Sequence, residues 1–210
     1  MIQLCTANKA DTRTRLLEAA HTLIWQNSYS SVSVDDICRR ASVNKGSFYH
    51  FFPSKTSLAI AALEDHWNTM LPDLLKIMTS PNKANEKIKQ LAQFIHQQQK
   101  QKFDQIGHVC GCPYAALGSE MSMQDESLRK AVETKLENAI GYLEKILEEA
   151  AAAGLIEPKH IKEKAREMDM FIIGIMTTAR VRNTLDLFSH DLEYGLLRIA
   201  GLDKLSITTN

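Results

Sequence analysis

Between Ser33 and Lys55 the chain reads SVDDICRRASVNKGSFYHFFPSK, and this stretch limits the possible folds more than any other. Ser33 stands before Val34, Asp35 and Asp36, so a hydroxyl N-cap is followed by two carboxylates in the first turn of a short helix. Ile37 and Ala41 lie four apart and give that helix one apolar face, and Val43 is expected to be buried in the turn that follows. Asn44 is a second N-cap, and Lys45, Gly46 and Ser47 open a second helix. Phe48, Phe51 and Phe52 anchor it, which leaves Tyr49 and His50 on the other side with their polar tips free for phosphate oxygens. Pro53 and Ser54 break this helix, and Lys55 begins the next. Two short helices joined by a tight turn make a helix-turn-helix, whose second helix presents its first residues to a DNA groove.

Two details of the segment suit nucleic acid. Gly46 weakens a helix by about 1 kcal/mol relative to Ala, a cost explained by close approach of backbone to a phosphate or base. Lys55, with the amides of the helix it opens, is placed to bind one phosphate. The alternative is an ordinary helical hairpin with a solvated polar face. The combined spacing favours DNA.

With its flanks, the segment resembles the TetR family of transcriptional repressors. The resemblance rests on DTRTRLLEAAHTLIWQNSYSSVSV, then DDICRRASVNKG, then SFYHFFPSKTSLAIAAL, and is specific from Asp11 to Leu63. It implies an all-α homodimer of about nine helices, with a helix-turn-helix DNA-binding domain over residues 1–55 and a larger effector-binding and dimerisation domain over residues 56–210. It also implies a repressor released from a palindromic double-stranded operator by a small molecule. Ser33, Lys45, Gly46, Ser47, Tyr49, His50 and Lys55 fall where the family contacts its operator. No cofactor and no metal are implied.

Charge agrees mildly. The whole chain is neutral, but residues 1–60 carry seven basic against four acidic residues, a net +3 that leaves −3 for the rest. That sign suits a basic DNA-reading head on an acidic body. The start MIQLCTANKADTR has no positive stretch leading into a long apolar run. The apolar patch from Met170 to Met176 is far shorter than the roughly 20 residues a membrane span needs. A cytoplasmic location without membrane contact is the expectation.

The remaining chain reads as helix after helix, without β-alternation of useful length. The first helix sets Leu16, Ala20, Leu23, Ile24 and Asn27 on one side. A long helix is expected from Lys55 to about Thr79, kinked or locally broken at Pro72. The next carries Ile88, Leu91, Ala92 and Ile95 and then a polar tract from Gln97 to Gln101, read as a solvated face. A short helix is expected around Tyr114 to Glu120, and Asp125 caps another whose stripe includes Leu128, Val132, Leu136, Leu143 and Leu147. Gly154 stops that helix, and Pro158 stands near the start of the one after it. A helix from Ile161 to about Leu187 is apolar around much of its girth, and a final helix starts at Asp191. Such helices are either central to their own domain or covered by a partner. Pairing of the last two helices in a homodimer is favoured, because two-fold reading of half-sites about 34–36 Å apart requires a dimer.

His108-Val109-Cys110-Gly111-Cys112-Pro113 is the other distinctive feature, and three readings stay open. It is an ordinary loop with small buried cysteines. Or Cys110 and Cys112 form a thiol sensor for oxidants or electrophiles, with Cys112 favoured as thiolate by a helix N-terminus. Or it is a metal site with His108, although C-x-C lacks the usual knuckle spacing and a second ligand pair. Cys5 is expected to be mobile, Cys38 packed, and structural disulfides absent.

An effector pocket is expected among Trp67, Leu71, Phe94, Phe103, Tyr114, Met121, Met123, Leu143, Met176 and Arg180, with core packing as the plainer role for each. Arg180 is placed to pair with a ligand carboxylate, Asp169, Glu120 or a partner chain. Two rival classes are weaker. An enzyme built on Cys110 or Cys112 with His108 lacks oxyanion donors and an orienting carboxylate. A helical adaptor leaves Lys45 to Lys55 unexplained.

Overall fold

The computed structural model describes residues 2–203, with side chains from residue 11 onward. Ten α-helices make up the described chain: α1 (Ile2–Gln26), α2 (Val34–Ala41), α3 (Lys45–Phe51), α4 (Lys55–Thr79), α5 (Ala84–Ile106), α6 (Pro113–Met121), α7 (Glu126–Ala152), α8 (Ile161–Arg182), α9 (Asp186–Ser189) and α10 (Asp191–Ala200). The fold is all-α, as the periodicity predicts. The expectation for Cys5 lies outside the described side chains.

Helix boundaries follow local chemistry. Ser33 and Asp36 close a reciprocal capping box on α2. The Asn44 side chain accepts the Ser47 amide at 2.7 Å at the start of α3. Asp125 does the same for Leu128 at 3.0 Å at the start of α7. Gly107, at φ 73°, ends α5, and Gly154, at φ 70°, stands two residues beyond the end of α7. Pro72 does not end α4, which runs from Lys55 to Thr79 as expected.

Three expectations change. The helix from Ile161 stops at Arg182 rather than near Leu187, because Asn183 adopts a left-handed conformation and its amide closes on Ala179 and Arg180 carbonyls. The short α9 then precedes the last helix. Asn27 is exposed rather than on the buried side of α1, and its side chain donates to the Leu23 carbonyl beyond the helix end. Gln99 belongs to no solvated face: it is 6% exposed.

The chain forms two compact units, residues 1–70 with 113–133, and residues 71–112 with 134–210. The first therefore holds the helix-turn-helix together with most of α4, all of α6 and the start of α7. Its core contains Leu16, Ala20, Ile37, Phe48, Leu58 and Leu63, all essentially inaccessible. The second is built around Ile88, Leu147, Met168, Leu192 and Leu196. Lys87 is buried there at 3% exposure, with its ammonium on the Met78 carbonyl at 2.7 Å and the Glu149 carboxylate at 2.6 Å. A buried cation needs both partners, since its desolvation costs several kcal/mol. Gly195 of α10 lies so close to the Phe171 ring of α8 that a β-carbon would overlap it.

Candidate nucleic-acid interface

The helix-turn-helix is assembled by caps and one arginine. Ser42 takes a left-handed conformation (φ 54°) at the end of α2, and Arg15 of α1 donates to the carbonyls of Ala41 and Ser42 at 3.0 and 3.3 Å. The sharp reversal between α2 and α3 is thus pinned from α1. Phe48 and Phe52 are buried, while Phe51 and Val43 are only half-buried. This seats α3 on its inner face.

On the outer face lie Lys45, Gly46, Tyr49 and His50, all exposed, with Ser47 half-buried beside them. Tyr49 is 54% exposed, unusual for an aromatic side chain with a core nearby. Lys45 pairs with Asp35 at 2.8 Å, and this contact holds its pKa above the ordinary lysine value. The Ser33 hydroxyl donates to Asp36 at 2.6 Å while accepting the Asp36 amide at 3.1 Å, so its first role is the cap. Gly46 has a local reason as well: a β-carbon there would press on the capping oxygen of Asn44 at 3.2 Å.

Lys55 is held more tightly than its position at a helix start suggests. Its ammonium donates to the Tyr29 carbonyl at 2.9 Å and the Val32 carbonyl at 2.8 Å, and it lies 4.0 Å from the Tyr29 ring centre. Burial lowers its pKa, and the nearby Glu120 charge opposes that. Two of its three N–H donors therefore serve the α1–α2 turn, and one is left for a phosphate.

The same turn is gripped from the far side. Glu120, in the last turn of α6, accepts the Tyr29 amide with one carboxylate oxygen and the Ser30 amide with the other, each at 2.8 Å. Burial raises the Glu120 pKa, but hydrogen bonds from Ser30 and the Tyr29 amide and the Lys55 charge outweigh it, so the carboxyl sits below its usual range. Thr56 donates to Asp125 at 2.9 Å, so the Tyr29 hydroxyl, 3.0 Å away, must be the donor to Thr56.

In the second unit, the loop after α5 is fixed by two side-chain amides that imitate backbone. Gln99 donates to the Gly111 carbonyl at 3.1 Å and accepts the Gly111 amide at 3.0 Å. Asn183 accepts the Val109 amide at 3.0 Å and donates to the Gly107 carbonyl at 3.2 Å. Gly111, at φ 73°, lies against α8, where a β-carbon would stand 3.2 Å from the Met176 carbonyl and 3.3 Å from the Arg180 Cδ. Cys38, Cys110 and Cys112 are free thiols. Burial pushes the Cys110 thiol up, while Lys102 and Arg180 pull it the other way without prevailing. Among the described residues no three His, Cys, Asp or Glu side chains gather into a metal site.

Residues 16–62 match the family described as bacterial regulatory proteins, tetR family, and residues 86–191, half of the chain, match the tetracyclin repressor-like C-terminal domain. The chain belongs to the TetR family of transcriptional regulators. Among its relatives, the HTH-type transcriptional repressor NemR of Escherichia coli is 31% identical over 138 residues, covering 66% of this chain and 68% of NemR. The transcriptional regulator AcuR of Cereibacter sphaeroides is 29% identical over 145 residues, 69% of this chain and 65% of AcuR. The reduced form of E. coli NemR superposes with a TM-score of 0.75 at 25% identity, covering 91% of this chain and 96% of that one. For the fold, a TetR-family regulator from Agrobacterium tumefaciens gives a TM-score of 0.79 at 20% identity, covering 90% and 98%. These relatives are transcriptional regulators, and this TetR-family chain is not an enzyme.

The expected effector liners divide between the two units. Trp67 and Tyr114 are buried in the first, their rings 6.1 Å apart, with the Tyr114 hydroxyl donating to the Leu63 carbonyl at 3.3 Å. Leu143 is part of the second unit's core, and Phe94, Phe103 and Met176 pack against it. Leu71 and Arg180 are half-buried. Met121 is buried, and Met123 is 98% exposed in the turn after α6. Glu120 is committed to the turn amides rather than to Arg180. A wide-open depression of about 400 Å³ lies among Ile156, Glu157, Lys159, His160, Lys164 and Gly201, none of them expected from the sequence. Gln99 and Asn183 also escaped the sequence reading, and Glu120 entered it only as a partner for Arg180. Gln99 was hidden in a polar tract, and the other two look like ordinary helix-end residues.

Proposed function

We propose that this TetR-family regulator is a homodimeric repressor that holds two reading heads at operator spacing and is released by a small molecule. One observation carries the reading: α3 offers Lys45, Tyr49 and His50 to solvent on a short helix whose other side is locked by Phe48 and Phe52. In this reading Ser33, Gly46, Ser47 and the remaining donor of Lys55 complete the operator contacts. Residues 1–55 read DNA, and residues 56–210 bind effector and dimerise.

Dimerisation is assigned to α8 and α10. Met170 and Val181 on α8 and Tyr194 on α10 are 66%, 82% and 62% exposed, and apolar surface of that kind is covered in a stable dimer. Effector release is a population shift, in which the ligand binds the released conformer more tightly than the operator-bound one. Trp67, Leu71, Phe94, Phe103, Tyr114, Leu143, Met176 and Arg180 remain the proposed effector-responsive set. No described helix is long and apolar enough to cross a membrane, and the proposed location is the cytoplasm.

Thiol chemistry is the second reading, supported by the placement of Cys110 near Lys102 and Arg180 and by the tight fit of Gly111 against α8. Both half-buried cysteines flank Gly111, whose backbone Gln99 clamps, so a bulky adduct on either is expected to disturb the loop. The related NemR, whose structure in reduced form is known, is a natural comparison.

Selection of bound fragments from genomic DNA tests the main reading, and the genes beside them indicate the effector. Recovery of no fragment above background rejects it. Mass spectrometry after graded N-ethylmaleimide tests the second, with Cys112 modified ahead of Cys110, whose thiol pKa is raised. Operator binding that survives full modification of both thiols rejects thiol sensing.

A further inference from the structure

Three polar or charged residues are buried among the described residues: Lys87, Gln99 and Asp169. Lys87 has the Met78 carbonyl and the Glu149 carboxylate, and Gln99 has both backbone groups of Gly111. Asp169 of α8 has no hydrogen bond and no ion pair among the described residues, so the pair with Arg180 that the sequence allows is not made. Even the half-buried Glu120 holds two amides, because an ionised carboxylate without partners is expensive to desolvate. Burial alone raises the Asp169 carboxyl to about 6, which leaves it mostly ionised at pH 7.5. Yet neither of its oxygens is among the unpaired atoms fully shut off from solvent. A charge left uncompensated at a place a small group can still reach is an anchor for a cation.

The surroundings on α8 set the kind of cation. Ile172 and Met176 follow Asp169 at three and seven residues, so they share its flank of the helix. Both are partly buried and pack against the core of the second unit. Ala165 and Met168, in the turn before, are fully buried. The carboxylate therefore stands at the head of an apolar strip, and the Met176 thioether adapts to varied shapes. Met170 and Val181, the exposed residues assigned to the dimer, lie roughly 100–120° further around the helix. A partner chain on that face does not supply the missing cation.

We propose that Asp169 anchors a cationic effector, an ammonium or amidinium group carried on an apolar body that lies along Ile172 and Met176. The inference rests on the effector reading above, in which Met176 already belongs to the responsive set. The N–H groups of such a molecule give the carboxylate the charge-assisted hydrogen bonds it lacks. Neutral and anionic molecules of the same shape leave the charge unpaired and are rejected. The fold keeps a carboxylate here against its own stability, a cost characteristic of binding sites.

The test is isothermal titration of the full-length protein with benzylammonium and n-hexylammonium, against benzyl alcohol and hexanoate as neutral and anionic counterparts. At least one amine is expected to bind ten times more tightly than benzyl alcohol at pH 7.5, and hexanoate not at all. The amine Kd is expected to be flat at neutral pH and to rise about tenfold per pH unit once Asp169 takes up a proton below about 6. Asp169→Asn is expected to lose at least tenfold in affinity together with that pH dependence. It relieves a buried charge, so the loss does not come from unfolding. Asp169→Glu keeps the charge and is expected to recover part of the affinity. Failure of both amines to bind overturns the proposal, as does equal binding by Asp169→Asn or by benzyl alcohol. The bound amine is also expected to raise the Kd for fragments selected from genomic DNA, and an unchanged Kd overturns the effector role. Failure of the unsubstituted protein to bind any fragment is a different result, which rejects the DNA-reading function and not the cation site.

Discussion

The side-chain amide of Gln99 closes both backbone hydrogen bonds of Gly111, donating at 3.1 Å and accepting at 3.0 Å inside a buried site. Gln99→Ala leaves a buried amide and a buried carbonyl unpaired, at about 1–3 kcal/mol for each group left without water. Thermal unfolding is expected to show a loss of several degrees. Gln99→Glu is expected to be worse, since a carboxylate then faces the Gly111 carbonyl. A Glu variant as stable as the parent at neutral pH contradicts this account of the loop.

Lys45 pairs with Asp35 in the free protein and is proposed to exchange that partner for a phosphate. Lys45→Ala is expected to weaken binding to all fragments alike and to reduce the slope of log affinity against log salt by about 1. Tyr49→Phe is expected to weaken binding while leaving that slope alone, because it removes a hydroxyl rather than a charge. Fluorescence anisotropy titrations across a salt series separate the two.

Gly195 fixes how closely α10 approaches α8. Gly195→Ala drives a methyl group into the Phe171 ring, and overpacking of this kind costs about 1–3 kcal/mol. Chemical denaturation should show the loss, and Phe171→Leu in the same chain should recover part of it by vacating the ring position.

Asp169, only 8% exposed on α8, has its carboxyl raised by burial to about 6. Above its unfolded value the native state binds more protons than the unfolded state, so this residue makes stability fall as pH rises from about 4 to 6. The penalty is then complete and stays constant above that range. Asp169→Asn removes it, with a gain of about 1–2 kcal/mol at pH 7.5 after allowing for solvent screening. The difference between variant and parent in urea unfolding should grow from near zero at pH 4 to that plateau. A difference independent of pH assigns the effect to something other than ionisation.

Local chemistry was readable and long-range chemistry was not. Ser33, Asn44 and Asp125 are recognisable as caps because each satisfies an amide three residues along the same chain. Gln99, Asn183 and Glu120 find partners 12, 74 and 90 residues away, and no periodicity encodes such distances. Lys55 shows the same limit: its position at a helix start was plain, its grip on the Tyr29 and Val32 carbonyls was not. The effector liners were least legible, because an apolar side chain in a core and one in a pocket follow the same helical period.

By itself the sequence determined the all-α class, the positions of the caps and the helix-turn-helix with its exposed Lys45, Tyr49 and His50. These follow from hydrogen bonds and apolar spacing within one or two helical turns, which every chain with these residues must satisfy. Tertiary structure alone decided that the α1–α2 turn is held by Lys55 and Glu120, that Gln99 is buried on Gly111, and that Asn183 ends α8 while bracketing the 107–112 loop. Those choices depend on which helices meet and at what depth. A polar side chain takes whichever unsatisfied backbone group the packing brings within about 3 Å.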